Sequence, residues 1–84
     1  YIEVFTPAER KKDKTKFAKQ IGKHLRKVRK KQGWSQEKLA LHAGYSTTYV
    51  SKIELGKYSP GMYTFWRLAK TMKLSLIDFL KGFE

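Results

Sequence analysis

The sequence lacks cysteine and long apolar runs, and it has few acidic residues. Without cysteine the chain can form neither a disulfide framework nor a thiolate metal site, and the composition is compatible with a reducing cytoplasm. No run of about 18 apolar residues, the length that a membrane-spanning helix needs, is present, and no secretory signal is recognisable. We therefore expect a soluble, cytoplasmic protein without redox chemistry.

Catalytic signatures are also missing from these 84 residues. A chain of this length supports one domain with a modest core, but no substrate pocket walled by separate layers. No nucleophile with a base, phosphate-binding glycine loop or metal-ligand spacing is recognisable, and we interpret His24 and His42 as surface or packing residues. We predict a binding module and not an enzyme, with no metal or cofactor. The first residue is Tyr1 and not Met, which is compatible with a fragment or a processed product and does not decide between these and a whole chain.

The basic residues dominate the charge: 19 Lys and Arg against 7 Asp and Glu give a net charge of +12. They are concentrated in residues 1–33, which hold 12 basic and 3 acidic side chains. A charge of this size attracts polyanions over a Debye length, and it indicates a nucleic acid or an anionic membrane as the partner. The alternative is a solvated basic face that only maintains solubility.

Apolar spacing and capping residues predict five helices and no strands, arranged as a compact all-α bundle. Residues 1–16 are predicted to form a basic, partly mobile arm, because the almost purely charged segment 10–16 follows a capping sequence at residues 6–9 but has no apolar face. The domain would occupy residues 17–84, with a first core helix from Phe17 to about Gln32 and a last helix at about 76–83. The predicted apolar stripes contain Phe17, Ile21, Leu25, Val28, Leu39, Ala40, Ala43, Val50, Ile53, Met62, Phe65, Leu68, Ala69, Met72, Leu76, Phe79 and Leu80.

The segment QEKLALHAGYSTTYVSKIEL, residues 36–55, satisfies four steric requirements of a helix-turn-helix. Ala40 is small where the two helices press together, and Gly44 permits the turn. Val50 and Ile53 would bury the inner side of the second helix, which leaves its outer side free for the major groove.

A resemblance to the phage-repressor and Cro type of helix-turn-helix domain (lambda repressor-like, XRE family) is carried by IGKHLRKVRKKQGWSQEKLALHAGYSTTYVSKIELGKYSP and the following LAKTMKLS. It covers about residues 17–80. The resemblance implies sequence-specific binding of double-stranded DNA by a transcriptional regulator, most simply a repressor. Its recognition helix, at about residues 46–55, would lie in the major groove. The resemblance also implies an ion pair between Arg29 and Glu54 that joins the first helix to the recognition helix.

Specific DNA contacts follow from this resemblance. Thr47, Thr48 and Lys52 would face the base edges, where Lys52 can donate to guanine O6 and N7 and the threonine methyl groups can meet a thymine methyl. Hydroxyl groups both donate and accept hydrogen bonds, so they discriminate poorly between bases. These residues therefore do not predict which base sequence is recognised. The residues expected at the DNA backbone are Gln36, Ser46, Tyr49, Ser51 and Lys57. The alternative for Ser46, Thr47 and Thr48 is helix capping without a DNA role. The alternative for Lys52 is that it only maintains solubility.

Four apolar residues lie at positions expected to be off the core stripe: Tyr63, Trp66, Ile77 and Phe83. We interpret them as a homodimer contact, which would set two recognition helices roughly 34 Å apart on a pseudo-palindromic site. The alternatives are that they pad a small core, or that they bind a different protein in an antitoxin-like module of the same fold. A basic membrane-surface or RNA-binding protein would explain the charge but not the four-position motif. The basic arm, Arg10 to Lys16, would track phosphates or enter the minor groove.

Overall fold

A computed structural model describes residues 6–83, and within this range the chain forms five α-helices and no strand. The helices are α1 (Pro7–Lys31), α2 (Gln36–Ala43), α3 (Thr47–Glu54), α4 (Met62–Thr71) and α5 (Leu76–Leu80). The predicted all-α class is confirmed. Among these five helices, none is both long enough and apolar enough to span a membrane.

Four of the helices begin at a hydroxyl side chain, as their sequences predict. The Thr6 Oγ accepts from the backbone N–H of Glu9 at 3.2 Å, and Ser35, Ser46 and Ser75 accept from the N–H three residues ahead at 3.0–3.1 Å. Each cap satisfies one of the N–H groups that have no partner within the helix. The starts of α1, α2, α3 and α5 are therefore determined locally.

Helix α1 is longer than predicted, because it begins at Pro7 and not near Phe17. The charged segment 10–16 continues the same helix and is exposed along its whole length. Thr6 and Pro7 start the helix, and the lysines and arginines that follow are good helix formers, so no apolar face is needed to extend it. Residues 1–5 of the predicted arm lie outside the described residues, and the division into arm and domain stays a prediction.

The core is one apolar cluster to which all five helices contribute. Its largest fully buried side chains are Leu25, Leu39, Val50, Ile53, Leu68 and Phe79. Two residues predicted for the core stripes are instead exposed, Phe17 by 44% and Met62 by 66%. Both lie on the rim of an apolar groove, where the faces of their helices extend beyond the neighbouring elements.

The end of the chain also differs from the prediction. Helix α5 stops at Leu80, since Gly82 adopts a φ of +83° that a helix cannot continue through. The turn brings Phe83 back onto the bundle, where it is half-buried and its ring lies 5.8 Å from the ring of Phe17. The expectation that Phe83 lies off the core is therefore wrong.

His24 is a packing residue, which is one of the two predicted roles. It is buried on α1, and its Nε2 forms a hydrogen bond with the backbone carbonyl of Phe79 on α5. Its ring also packs edge-on against the rings of Phe79 and Phe83. His42 is exposed and touches the Trp34 ring.

Candidate nucleic-acid interface

Helices α2 and α3 form the predicted helix-turn-helix. Gly44 ends α2 with a φ of +82°, a conformation that costs a glycine little. Ala40 is buried at the contact between the two helices, and Val50 and Ile53 are 0% exposed. All four sterically constrained positions thus have the environment that the motif requires.

The outer face of α3 presents the three residues predicted to contact bases. Thr47, Thr48 and Lys52 are exposed, and Ser51 between them is half-buried. Helical spacing places these four side chains on one side of α3, opposite Val50 and Ile53. The result is an exposed surface of hydroxyl groups with one ammonium group.

Leu55 extends this outer face and was not identified from the sequence. It caps the C-terminal end of α3 and is exposed. Its position three residues after Lys52 and four after Ser51 is the pattern that could have identified it. An exposed leucine here adds an apolar group that can meet a thymine methyl.

Tyr49 lies on a different side of α3 from the predicted base contacts. It is half-buried, with its ring 4.9 Å from the Tyr45 ring and 5.4 Å from the Tyr58 ring. Its hydroxyl is 3.4 Å from the Thr64 Oγ1 on α4. These contacts join the helix-turn-helix to α4, and the predicted DNA-backbone contact of Tyr49 stays a prediction.

A buried hydrogen-bonded ion pair sets the orientation of α3. Arg29 Nε donates to Glu54 Oε2 at 2.6 Å and Arg29 Nη2 donates to Glu54 Oε1 at 3.0 Å, so the predicted pair is confirmed and is bidentate. Arg29 Nη1 also donates to the carbonyl of Trp34 at 2.7 Å. Because its charge is paired and buried, Glu54 does not oppose a polyanion at the surface.

Gln36 joins the same network at the first residue of α2. Its Nε2 donates to Glu54 Oε1 at 2.9 Å, and the side chain is half-buried. The sequence predicts Gln36 as a DNA-backbone contact, and the structure adds that its amide is held by α3. Motif spacing gives no indication of this bond.

Helix α1 approaches α3 closely at Gly22, another feature that the sequence analysis did not identify. A Cβ atom at this position would overlap the Ile53 carbonyl oxygen and lie 2.9 Å from the Glu54 carbonyl oxygen. Glycine is therefore required for the two backbones to meet. Most residues around Gly22 are good helix formers. A glycine in the middle of such a helix is the signal that could have indicated the contact.

The remaining predicted backbone contacts lie at the two ends of α3. Ser46 is exposed and caps the N-terminus, while Lys57 is exposed just beyond the C-terminus. The Lys57 N–H donates to the Lys52 carbonyl at 3.0 Å, which fixes the start of the following loop against α3.

In residues 6–83, no group of three or more His, Asp or Glu side chains is arranged to hold a metal ion.

Comparison with known proteins gives one family. The model of the helix-turn-helix family HTH_3 matches residues 25–79. The HTH-type transcriptional regulator PuuR of Escherichia coli is 40% identical over 58 residues, which cover 69% of this chain and 31% of PuuR. An uncharacterised HTH-type regulator of Sinorhizobium fredii, y4dJ, is 28% identical over 60 residues, covering 71% of this chain and 78% of the relative. The chain thus spans under a third of PuuR.

Two solved structures share the fold. An HTH_3 family transcriptional regulator from Vibrio cholerae superposes with a TM-score of 0.73 at 31% identity, covering 80% of this chain and 38% of that one. The restriction-modification controller protein C.AhdI from Aeromonas hydrophila has a TM-score of 0.75 at 27% identity, covering 80% of this chain and 97% of that one. With the helix-turn-helix geometry of α2 and α3, these matches show that the chain belongs to the HTH_3 family of helix-turn-helix transcriptional regulators.

Proposed function

We propose that this chain regulates transcription by binding duplex DNA at a specific sequence, with α3 in the major groove. The observation that supports this most is the division of α3 into two faces. Val50 and Ile53 fill the inner face, whereas Thr47, Thr48 and Lys52 are exposed on the outer face. A helix fits the width of the major groove, and its outer side chains can then meet base edges.

Each outer side chain has a chemical role in this proposal. Lys52 donates to guanine O6 or N7, and the two threonines offer hydroxyl groups and methyl groups to neighbouring bases. Gln36, Ser46, Tyr49, Ser51 and Lys57 are proposed to contact the DNA backbone. Such contacts fix the register of the protein on the duplex, while the base contacts supply discrimination.

Repression is the regulatory action that we propose. A bound domain of this size excludes other proteins from a promoter without any chemical step, so no enzymatic activity and no cofactor are needed. The relatives are named as transcriptional regulators, which supports a role in transcription regulation. We propose the cytoplasm as the place where this protein acts.

A homodimer is proposed as the DNA-binding form. Tyr63, Trp66 and Ile77 are exposed apolar residues on α4 and α5. Phe83 instead lines a groove of about 320 Å³ with Phe17 and Met62, and this groove also has apolar walls. A second copy that covers these residues would place two recognition helices roughly 34 Å apart on a pseudo-palindromic site.

Competition binding tests the proposed function. A fluorescent duplex is bound at about 0.15 M salt and is then competed with unlabelled duplex, an RNA hairpin or anionic lipid vesicles. We expect duplex DNA to compete best, because an RNA major groove is too narrow for α3 and a lipid surface offers no base edges. Equal competition by RNA or vesicles would contradict the proposal, since the net charge would then account for binding.

A further inference from the structure

The N-terminal half of α1 lies beside the loop that follows α3. Lys14, Thr15 and Ala18 from α1 line one open concavity of about 270 Å³, and the other wall is formed by residues 56–59 of the loop. Lys14 and Lys57 are both exposed there. Two lysines that are far apart in sequence therefore share one concave surface next to α3.

The backbone fixes this arrangement. Gly56 adopts a φ of +75°, and a Cβ atom at this position would lie 2.8 Å from the Lys19 Cα and 2.7 Å from its Cγ. The loop thus packs directly on α1, and the hydrogen bond from the Lys57 N–H to Lys52 ties it to α3 as well. The position of Lys57 relative to α1 does not depend on a flexible segment.

The chemistry of the concavity suits an oxyanion. Its lining includes two ammonium groups and the hydroxyl groups of Tyr58 and Ser59, and it includes no acidic side chain. The Thr15 hydroxyl, which also lines the concavity, donates to the Lys11 carbonyl at 3.1 Å. In residues 6–83 the ion pairs are Arg29 with Glu54 and Lys81 with Asp78, so neither Lys14 nor Lys57 is paired with a carboxylate there. Ammonium and hydroxyl groups are the side-chain donors that bind DNA phosphates.

We propose that Lys14 and Lys57 together bind the phosphate backbone next to the major groove that α3 enters, which makes the N-terminal half of α1 part of the DNA interface. This inference rests on the proposed function. It also decides between the two predicted roles of the basic arm. Residues 10–16 are helical, and a helix about 10 Å across does not enter a minor groove about 6 Å wide. The segment therefore follows phosphates.

Matched lysine variants test the proposal in the full chain. Lys14→Ala and Lys57→Ala are compared with Lys23→Ala, which removes an exposed lysine from the C-terminal half of the same helix, outside the concavity. The dissociation constant for a duplex that the wild-type protein binds is measured at several salt concentrations. Removing one phosphate contact should reduce the magnitude of the slope of the logarithm of the dissociation constant against the logarithm of the salt concentration by about 1.

We expect this reduction for Lys14→Ala and Lys57→Ala, with a smaller change for Lys23→Ala. If both lysines bind one phosphate group, the double variant should lose less than the sum of the two single losses. Equal slopes for Lys14→Ala and Lys23→Ala would overturn this inference and leave the proposed function intact. A wild-type protein that binds no duplex would overturn both. Circular dichroism of each variant shows that α1 is retained.

Discussion

Helices α3 and α4 both bury apolar side chains on their inner faces, but their outer faces carry different side chains. Val50 and Ile53 bury the inner face of α3, and Phe65 and Leu68 do the same for α4. Outside, α3 carries hydroxyl groups and a lysine. The outer side of α4 carries Tyr63 and Trp66, whose rings stack 6.0 Å apart, with the Lys70 ammonium 4.8 Å from the Trp66 ring.

On both helices the inner face packs into the core, whereas the outer faces carry different chemical groups for their proposed partners. Aromatic side chains are enriched where proteins meet proteins, whereas hydroxyl and ammonium groups suit the polar edges of bases and phosphates. The comparison supports the proposals that α3 binds DNA and that α4 meets a protein surface. The two assignments can be separated by variants that disturb one helix and leave the other intact.

The largest expected effect comes from the ion pair that orients α3. Glu54→Ala should lower the free energy of unfolding by about 3 kcal/mol, because Arg29 is then buried without its partner. Thermal or urea unfolding measures this loss. We expect the variant to lose stability before it changes DNA sequence preference, and an unchanged melting temperature would show that the pair does not hold α3.

A double replacement serves as the control. Arg29→Met with Glu54→Leu removes both charges and fills the space with apolar groups, which is often neutral for a buried pair. The double variant should recover much of the stability that Glu54→Ala loses. If it is as unstable as the single variant, the loss comes from packing or from the Gln36 bond and not from an unpaired charge.

The next effect concerns the contact between α1 and α3. Gly22→Ala should destabilise the protein by about 1–3 kcal/mol, because the new methyl group would overlap the Ile53 carbonyl and push the helices apart. Gly61→Ala at the start of α4 is the matched control, since no atom lies within 4 Å of a Cβ there. Similar unfolding midpoints for the two variants would contradict the close approach.

A smaller effect is expected on the α4 and α5 side, where self-association is proposed. Ile77→Lys should weaken dimerisation roughly tenfold, because a two-fold interface would lose two partly buried isoleucines at about 0.8 kcal/mol each, the contribution of one buried CH₂ group. Leu41→Lys on α2 is the control, because Leu41 is 74% exposed and Ile77 is 77% exposed. Sedimentation with and without DNA measures the association. A strict wild-type monomer at high micromolar concentration would remove the dimer.

The smallest effect is a pH dependence at the start of α5. The Asp78 carboxylate is paired with the Lys81 ammonium at 3.1 Å and also accepts a hydrogen bond from the Ser75 hydroxyl. Both contacts lower the pKa of Asp78 below its ordinary value of 3.8. The stabilisation is therefore fully present above that ordinary value and is lost as the pH falls through the lowered pKa. Asp78→Asn should melt slightly below wild type at pH 7, and this difference should shrink as the pH falls below 3.8. A constant difference would contradict this.

Local features of the fold were predictable from the sequence, and contacts between distant segments were not. The caps at Ser35 and Ser46 and the turn at Gly44 follow from chemistry within a few residues. The bond between Gln36 and Glu54 joins residues 18 apart, and no periodicity indicates it. Helical spacing also identifies the apolar face of a helix, but it does not show how much of that face the other helices bury. For this reason Phe17 and Met62 were expected in the core.

The candidate site shows the same division. The exposure of Thr47, Thr48 and Lys52 followed from the motif, because four steric positions determine which side of α3 is buried. The proximity of Lys14 to Lys57 depends on how α1 packs against a loop. Only the assembled bundle brings those two lysines together.

Selection of bound duplexes from a random library at about 0.15 M salt tests the central claim most directly. The wild-type protein is compared with a Thr47→Ala, Lys52→Ala double variant, whose fold is checked by circular dichroism. If the outer face of α3 contacts bases, the wild-type protein enriches a two-fold-symmetric motif and the variant loses it. Enrichment of the same motif by both proteins, or of no motif by the wild-type protein, would contradict the account.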